Sequence, residues 1–549
     1  MARMTAGQAL VESLRAQGVE VVFGIISSHT LDIFDALYDH RDAIRFISAR
    51  HEHAAAMMAD GYARATGKPG ICLTSSGPGA ANSMGGIGEA YFASAPVLHL
   101  TSTAEESLYE RGLGTIHETK DQLGMCATVA QQCFHISRPE QTPERVRKAF
   151  ELFGRQRPRP IQIEIPVDVQ GQVAEMEVPK LVQHEAPAAE RILVEEAAAL
   201  LAAGSRVGIL AGTGVHRSGA TRVLTRIAER LGAPVFTTAN GKGAIAEDHQ
   251  LSLGMFGGEY DFPPGGREDP RLVFAHTLDT LLVVGSSLSY FRVKSQGLEQ
   301  PAHLIHLDID AESIGRWYEP EVELFGDAGT VLGQLETALS DISIESEAGF
   351  AAEVAEVRSA IRAYKRQTMP NETRIMEAIR AATAADAIFV GDVAVCNHRG
   401  ANYCLEAYDQ RTYMTPAWGG LGFGLPAAAG AAAALPGRQV LCLIGDGGFQ
   451  FNIQELGTCV QYGLKPVVLV FNDSAWGLLR HFQKTRNNGR YIASELHNPD
   501  FRQLAEAYGA HGVRVESLAE LIPALETALR AETVTVIDVW TPDGFAGFS

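Results

Sequence analysis

The hydrophobic positions follow one pattern over the first 168 residues, where short apolar runs alternate with amphipathic stretches. Residues 7–17 and 32–38 repeat apolar positions at helical spacing. The apolar runs have the length of strands and comprise residues 19–25, 70–76, 96–102 and 160–166. Apolar strands that alternate with helices are typical of a parallel sheet with helices on both faces. The pattern predicts a doubly wound α/β domain over residues 1–168.

The same alternation recurs twice further along the chain. The second set of predicted strands comprises residues 206–215, 234–238, 281–287 and 303–310, and the third comprises residues 387–393, 439–447, 466–473 and 534–540. Residues 169–191 show no sustained period and predict a linker, and the helical, charged residues 341–369 predict a second one. Together with the length of 549 residues, this predicts three consecutive α/β domains with doubly wound parallel sheets, at 1–168, 192–340 and 370–549.

Composition and charge narrow the class of protein. The chain has 46 Lys and Arg against 65 Asp and Glu, and this net charge of -19 disfavours nucleic acid and anionic lipid as partners. The seven cysteines include no C-x-x-C pair, so neither a disulfide framework nor a zinc site is expected. We find neither a signal-peptide pattern nor an apolar run near the roughly 20 residues of a membrane span. We therefore expect a cytoplasmic protein.

A Gly-Asp-Gly-Gly motif at residues 445–448 ends one predicted apolar strand, and Asn472 ends the next. In a parallel sheet, Asp446 and Asn472 would lie at the carboxyl ends of adjacent strands, where α/β folds bind ligands. Their hard oxygen donors suit Mg²⁺, and the glycines let backbone N–H groups approach a diphosphate. The alternative is a structural role, with a plain turn at the glycine motif and an ordinary Asn at a strand end. Each feature alone would favour that alternative, but the two together at this spacing do not.

Glu52 begins a helix that carries Ala and Met on its apolar face. A buried carboxyl group there would have a raised pKa and could act on a heterocyclic nitrogen. The alternative is an exposed glutamate stabilised by the helix dipole.

Six segments together resemble the thiamine-diphosphate-dependent decarboxylases and carboligases, above all the acetolactate synthase branch. They are RHEHAAAMMADGYARATGKPG (50–70), SSGPGAAN (75–82), HETKDQLGM (117–125), PVFTTANGKGAIAEDH (234–249), GFGLPAAAGAAAA (422–434) and IGDGGFQFNIQEL with FND (444–473). The resemblance implies a pyrimidine-binding, a central and a diphosphate-binding domain, in that order. It also implies active sites between the first domain of one subunit and the third domain of another, and so a homodimer or homotetramer.

The resemblance assigns roles to particular residues. Glu52 would hydrogen-bond the pyrimidine ring of thiamine diphosphate, and Leu421 would hold the cofactor bent. Asp446, Asn472 and the Ser474 carbonyl would bind Mg²⁺. The other implied cofactor contacts are Gly77, Pro78, Asn82, Asn397, His398, Gly420, Gly445, Gly447, Gly448, Trp476 and Gly477.

Several positions depart from the acetolactate synthase pattern. Ser28 and His29 occupy a loop where many relatives have Gly-x-Pro-Gly-Gly, and the pair His117-Glu118 stands in the region where those synthases carry Phe-Gln. Ser28, His29 and His117 are candidates for proton transfer at the substrate, because histidine titrates near neutral pH. The alternative for the loop is a helix cap at Thr30.

Four residues beyond the metal motif are expected to line the substrate pocket: Leu478, Leu479, Arg480 and Phe482. Arg480 would either meet a substrate carboxylate or pair with an acid at the surface. In the central domain, residues 254–262 and 285–294 do not match FAD-binding stretches, so FAD is not expected. Arg292 and Lys294 leave open whether a CoA compound or ADP binds there.

The resemblance implies an enzyme that decarboxylates a 2-oxoacid to an aldehyde through an enamine. At the subfamily level it extends to decarboxylases of 5-guanidino-2-oxopentanoate. The alternatives are a carboligase or 2-hydroxyacyl(-CoA) lyase, and, from another class, a non-catalytic regulatory homologue. A degenerate copy need not retain Glu52, Asp446 and Asn472, so their presence together favours an enzyme.

Overall fold

The computed structural model describes residues 1–181, 185–257, 268–542 and 544–548. Within these ranges the chain forms three parallel six-stranded sheets, which confirms the predicted α/β class and its three consecutive sheet domains. Residues 182–184 of the first predicted linker and residues 258–262 of the 254–262 segment lie outside the described residues.

The first domain is built around a sheet with the order β3-β2-β4-β5-β7-β6. The strands of the first domain, in chain order, are β1 (Ala2–Thr5), β2 (Val21–Gly24), β3 (Arg45–Ser48), β4 (Gly70–Leu73), β5 (Val97–Thr103), β6 (Gln132–His135), β7 (Ile161–Pro166) and β8 (Val173–Met176). Its helices are α1 (Ala6–Ala16), α2 (Leu31–Asp39), α3 (Glu52–Thr66), α4 (Pro78–Ala93), α5 (Gln122–Ala127), α6 (Thr142–Arg155) and α7 (Val167–Gln170).

The second domain has the sheet order β11-β10-β9-β12-β13-β14. Its strands are β9 (Val207–Ala211), β10 (Val235–Thr237), β11 (Ser252–Met255), β12 (Thr280–Val284), β13 (His303–Asp308) and β14 (Val322–Phe325). Its helices are α8 (Arg191–Ala203), α9 (Thr213–Arg217), α10 (Thr221–Leu231), α11 (Pro270–Ala275) and α12 (Ala328–Leu339), and α13 (Phe350–Thr368) leads to the third domain.

The third domain has the sheet order β16-β15-β17-β18-β20-β19. Its strands are β15 (Ile388–Gly391), β16 (Tyr413–Met414), β17 (Val440–Gly445), β18 (Val467–Asn472), β19 (His511–Val515) and β20 (Thr535–Trp540). Its helices are α14 (Pro370–Ala381), α15 (Asn402–Cys404), α16 (Gly424–Ala434), α17 (Asp446–Phe451), α18 (Glu455–Tyr462), α19 (Gly477–Arg486), α20 (Phe501–Ala507) and α21 (Leu518–Ala528), with a π-helix at Cys396–Ala401.

The segment predicted as the first linker contains regular structure. β8 lies within it and pairs antiparallel with β1, so that Thr5 faces Val173. The side chain of Thr5 then accepts a hydrogen bond from the amide of Gln8 and caps α1. The segment thereby closes the first domain back onto its own N-terminal strand. The second predicted linker contains α13, in agreement with its helical pattern.

The first and third domains share one hydrophobic core, in which α3 packs against α16. Glycines allow the two helix backbones to approach closely. A Cβ atom on Gly61 would lie 2.1 Å from the carbonyl oxygen of Ala427, and one on Gly430 would lie 2.0 Å from that of Met58. This contact fixes the orientation of the two domains that carry the predicted site residues.

Two further findings bear on the sequence predictions. All seven cysteines are free thiols, and six of them are buried. Among the residues that the structure describes, we find no helix with the length and apolar content that crossing a bilayer requires.

Candidate active site

The predicted proton-transfer residues of the first domain lie together at the carboxyl edge of its sheet. The imidazole rings of His29 and His117 stack with their centroids 4.7 Å apart and their planes 28° apart. His29 is buried, whereas Ser28 is exposed. Burial, and secondarily the neighbouring His117, lower the pKa of His29 below its ordinary value. Two histidines from distant parts of the sequence therefore form one stacked pair.

Two serines extend this pair into a hydrogen-bonded cluster. The hydroxyl of Ser75 lies 3.3 Å from Nδ1 of His117 and 2.6 Å from the hydroxyl of Ser27. Ser27 also accepts a hydrogen bond from the amide of His29 at 3.1 Å. Ser27 is thus the capping residue of the turn at 28–30, so capping does not account for Ser28 or the His29 side chain. The contact with Ser75 orients the imidazole of His117, and the bond to Ser27 fixes the backbone of His29.

The loop that carries His117 is held by backbone contacts. Glu118 accepts hydrogen bonds from the amides of Leu113, Gly114 and Thr115, the shortest at 2.6 Å. His117 has a φ of +61°, a strained value for a residue with a side chain. A Cβ atom on Gly77 would lie 2.2 Å from the carbonyl oxygen of His117. The loop therefore packs directly on the predicted cofactor residue Gly77.

Glu52 lies at the first position of α3 and is half-buried. Its Oε2 atom accepts a hydrogen bond of 3.1 Å from Nδ2 of Asn82 on α4. The rest of α3, from residue 54 to residue 65, is buried. Glu52 thus stands at the open end of a buried helix, and the contact with Asn82 brings two predicted cofactor residues together.

The predicted metal ligands converge in the third domain. β17 and β18 are adjacent and parallel, which confirms the expected neighbourhood of Asp446 and Asn472. Oδ2 of Asp446 and Oδ1 of Asn472 lie 2.6 Å and 2.9 Å from the same atom, Nδ2 of Asn498. Two oxygens that face one point from neighbouring strands are the start of a coordination sphere for a hard cation such as Mg²⁺.

The third predicted ligand, Ser474, follows β18 in a left-handed conformation with a φ of +51°. Its amide donates to Oδ1 of Asn472 at 3.3 Å, so the turn folds back over the asparagine. Asp538 accepts a hydrogen bond from Nδ2 of Asn472 at 2.9 Å. This bond fixes the amide group of Asn472, whose Oδ1 atom accepts from the amide of Ser474 and from Asn498. One carboxylate oxygen and one amide oxygen suit a magnesium ion, and the carbonyl oxygen of Ser474 accepts a hydrogen bond from the amide of Leu496 at 2.8 Å.

The glycine motif lies beside these residues, and its backbone has little room for side chains. A Cβ atom on Gly447 would lie 2.4 Å from the indole of Trp476, and one on Gly448 would lie 3.0 Å from Asp392. Trp476 also contacts Phe451 edge to face at 6.0 Å. A side chain at Gly447 would collide with the indole, and one at Gly448 would crowd Asp392. Both positions therefore present bare backbone N–H groups, which suit a diphosphate.

Asn397 and His398 are buried within the third domain, in its π-helix. The Asn397 amide group donates to Oγ1 of Thr415 at 2.9 Å and accepts from the hydroxyl of Tyr413 at 2.7 Å. The Asn397 side chain is therefore engaged inside the domain. The role of Asn397 and His398 in diphosphate binding stays a prediction.

The four predicted pocket residues divide into two pairs along α19. Leu478 is buried in the core of the third domain, and Phe482 packs against the same core. Leu479 is 53% exposed, and the guanidinium of Arg480 lies 5.6 Å from the ring centroid of Tyr491. Leu479 is thus the exposed residue of the four, and Arg480 is half-buried beside Tyr491.

The second domain has a cavity of about 640 Å³ at the carboxyl ends of its strands, against the first domain. Its lining includes Gly214, Gly285, Arg157, Arg217 and Arg292. Burial lowers the pKa of Arg217 to about 9. Cationic side chains around a cavity of this size suit an anionic ligand. The expectation that FAD is not bound remains a prediction.

Models of the three domains of thiamine pyrophosphate enzymes match this chain. The N-terminal TPP binding domain matches residues 4–125, the central domain residues 194–335, and the C-terminal TPP binding domain residues 392–539. Thiamine pyrophosphate and thiamine diphosphate are the same compound. The chain belongs to the family of thiamine-diphosphate-dependent enzymes.

Individual relatives resemble the chain over nearly its whole length. It is 35% identical to a probable 2-ketoarginine decarboxylase of Pseudomonas aeruginosa, over 98% of this chain and 94% of that protein. It is 32% identical to a probable acetolactate synthase large subunit of Methanocaldococcus jannaschii, over 98% and 92% of the two chains. It is 31% identical to the acetolactate synthase isozyme 3 large subunit of Escherichia coli, over 99% and 96%.

Sequence reasoning missed several residues that shape these sites. Ser75 begins the recognised segment 75–82 and Ser27 directly precedes Ser28, and their polarity beside a strand end is a usable signal. Asn498 lies 26 residues beyond Asn472, in a segment without regular structure, and nothing local marks it. Only the folded chain brings it to the predicted metal ligands.

Proposed function

We propose that this protein is a thiamine-diphosphate- and Mg²⁺-dependent decarboxylase that converts a 2-oxoacid into an aldehyde and CO₂. The observation that carries the proposal is the stacked pair His29 and His117, supported by Ser27 and Ser75. An aldehyde is released only after a proton is delivered to the carbon that has lost CO₂. Paired imidazoles in a partly desolvated site are suited to that delivery.

The cofactor, when bound, supplies a carbon nucleophile that adds to the substrate carbonyl and stabilises the electron pair left by the loss of CO₂. Glu52 would hold a proton at the pyrimidine ring of the cofactor, with Asn82 orienting its carboxylate. Asp446, Asn472 and the Ser474 carbonyl would hold Mg²⁺, and Gly447 and Gly448 would receive the diphosphate. Gly77 and Pro78 would contact the cofactor from the first domain, and Gly420, Leu421, Gly445, Trp476 and Gly477 from the third.

The substrate class follows from the polar groups of the first domain. Ser28, His29 and His117 would orient the substrate carboxylate and carbonyl, and Arg480 would supply a positive charge from the third domain. The likeness to a probable 2-ketoarginine decarboxylase supports a 2-oxoacid with a long polar side chain. The likeness to acetolactate synthases supports the second candidate, a carboligase that joins two carbonyl compounds.

We further propose a homodimer or homotetramer in the cytoplasm. Glu52 stands at the open end of α3, and a partner subunit would bring its metal cluster to that end. The free thiols suit a reducing compartment.

The proposal is tested with a panel of 2-oxoacids, including pyruvate and 5-guanidino-2-oxopentanoate, each with and without an acceptor aldehyde. We expect CO₂ and free aldehyde, in amounts that depend on added thiamine diphosphate and Mg²⁺. Formation of acyloin without free aldehyde would reverse the order of the two candidates. Activity without the cofactor would contradict the proposal. An absorption spectrum of the purified protein tests the FAD expectation, because bound flavin is yellow.

A further inference from the structure

The carboxylate of Glu89, on α4 of the first domain, is fully buried against a loop of the third domain. Oε1 accepts hydrogen bonds from the amides of Ala417 and Trp418, the latter at 3.0 Å. Oε2 accepts from the amides of Gly419 at 3.2 Å and Gly420 at 3.1 Å. Four consecutive N–H groups that point to one centre form a concave anion site, and here the anion is a side chain.

A second charged side chain of the first domain holds the same loop further upstream. Nη1 of Arg64, on α3, donates to the carbonyl oxygen of Thr415 at 2.9 Å, and Nη2 lies 4.0 Å from Oε1 of Glu89. The Arg64 guanidinium also lies 4.9 Å from the ring centroid of Phe423. Arg64 and Glu89 therefore hold the loop from residue 415 to residue 423 from one side.

Gly88, which precedes Glu89 on α4, also packs closely against this loop. A Cβ atom on Gly88 would lie 2.1 Å from the indole of Trp418. That indole stacks on Phe92, with the ring centroids 5.5 Å apart and an angle of 14° between the planes. The surface of α4 thus matches both the backbone and the side chain of the loop.

We propose that Glu89 is a positioning residue for the cofactor, acting through the backbone of residues 417–420. The loop ends in Gly420 and Leu421, which are half-buried and which the proposed function places against thiamine diphosphate. The inference rests on that function. Because four of its amides bind one carboxylate, the loop holds the backbone of Gly420 and Leu421 in a fixed position before the cofactor binds. The first domain would thereby preorganise part of the cofactor site of the third domain in the same chain.

The first test measures amide hydrogen exchange in the cofactor-free protein. In Glu89→Gln, we expect the amides of residues 417–420 to exchange at least about tenfold faster, because bonds to a charged acceptor are stronger than bonds to a neutral one. The matched control is Glu247→Gln. Glu247 is also a buried carboxylate that accepts a backbone amide of the third domain, from Ala407 at 2.7 Å, and it pairs with Lys242. The control is expected to leave exchange at residues 417–420 unchanged.

The second test separates cofactor binding from substrate binding. In Glu89→Gln, we expect the KM for thiamine diphosphate to rise at least about tenfold, while the KM for the 2-oxoacid changes by less than about twofold. Glu89→Asp retains the charge and is expected to recover most of the cofactor KM and of the slow exchange. Glu247→Gln is expected to keep the wild-type cofactor KM even where its thermal midpoint falls.

The outcomes are distinguishable. Wild-type exchange and wild-type cofactor KM in Glu89→Gln would overturn the positioning role. Failure of the wild-type enzyme to bind thiamine diphosphate would overturn the proposed function, whereas the exchange measurement would still report on the contact of Glu89. Should Glu89→Gln not fold, the exchange of the wild-type, cofactor-free protein decides. Slow exchange at residues 417–420 supports the inference, and exchange as fast as that of unprotected amides contradicts it.

Discussion

His29 and His117 stack at 4.7 Å although 88 positions separate them in the sequence. The pair predicts a specific loss of function. We expect His29→Asn and His117→Asn each to lower kcat for aldehyde release by at least about 100-fold, the usual contribution of a positioned proton donor. His40→Asn is the control, because His40 pairs with Glu12 at the C-terminal end of α2, whereas the cluster lies at the N-terminal end of that helix. Wild-type turnover in both site variants would contradict the assignment.

Glu52→Gln tests the proton-holding role separately from cofactor binding. Glutamine keeps an oxygen that can accept the hydrogen bond from Asn82, but it carries no exchangeable acid proton. We expect turnover of the 2-oxoacid to fall by at least about 100-fold while thiamine diphosphate still binds. Calorimetric titration with the cofactor and a CO₂ assay measure the two quantities. Full turnover in Glu52→Gln would contradict the proposed role.

Asp446→Ala tests the metal site. The variant removes one of the two oxygens that face Nδ2 of Asn498. We expect the affinity for Mg²⁺ in the presence of thiamine diphosphate to fall by at least about 100-fold, since even outer partners of metal ligands contribute 10- to 100-fold. Asp500→Ala is the control. Asp500 caps α20 through the amide of Gln503, so its loss should lower stability by about 1 kcal/mol and leave metal binding intact.

The sequence predicted the four inner strands of each sheet and missed both edge strands of each, within the described parts of the chain. The missed strands are β3 and β6, β11 and β14, and β16 and β19. The inner strand β17 is an almost continuous apolar run, whereas the edge strand β14 reads Val-Glu-Leu-Phe and is exposed at alternate positions. An edge strand has one neighbour and meets water, so it needs less apolar sequence and gives a weaker signal.

The candidate site divides in a similar way. Asp446 and Asn472 were predictable because strand ends and motifs are local features, and adjacent parallel strands bring their ends together. Glu89 was not, because a glutamate inside a helix has no sequence feature that distinguishes it from a solvated one. Its role depends on contacts with residues more than 300 positions away. The substrate remains a proposal because it depends on loops whose course only the tertiary structure defines.

The packing of α3 on α16 reverses the usual effect of replacing glycine in a helix. Alanine normally stabilises a helix interior by about 1 kcal/mol relative to glycine. We expect Gly61→Ala instead to destabilise the protein, by about 1–3 kcal/mol, because the added methyl group meets the carbonyl oxygen of Ala427 at 2.1 Å. Gly333→Ala in α12 is the control, since a Cβ atom there meets nothing within 4 Å and should stabilise. Thermal unfolding of both variants tests the opposite signs.

We expect the buried His216 of the second domain to make the stability of the protein sensitive to acid. Burial is the main cause that lowers its pKa from 6.5 to about 4, and its Nε2 lies 2.9 Å from the carbonyl oxygen of Lys242. Below pH 6.5 the unfolded chain binds a proton at this residue that the folded chain does not bind. The free energy of unfolding should therefore fall by about 1.4 kcal/mol per pH unit from this group as the pH drops from 6.5 to 4, with no effect above pH 6.5.

His216→Gln removes the titrating group and retains an amide that can donate to the carbonyl of Lys242. We expect the decrease in thermal midpoint between pH 7 and pH 5 to be smaller in this variant than in the wild type, even if its midpoint at pH 7 is lower. His276→Gln is the matched control, because His276 is exposed and makes the same kind of contact, from Nε2 to the carbonyl oxygen of Gly297 at 2.8 Å. The control should keep the wild-type pH dependence. An identical pH dependence in all three proteins would show that burial of His216 does not contribute to acid unfolding.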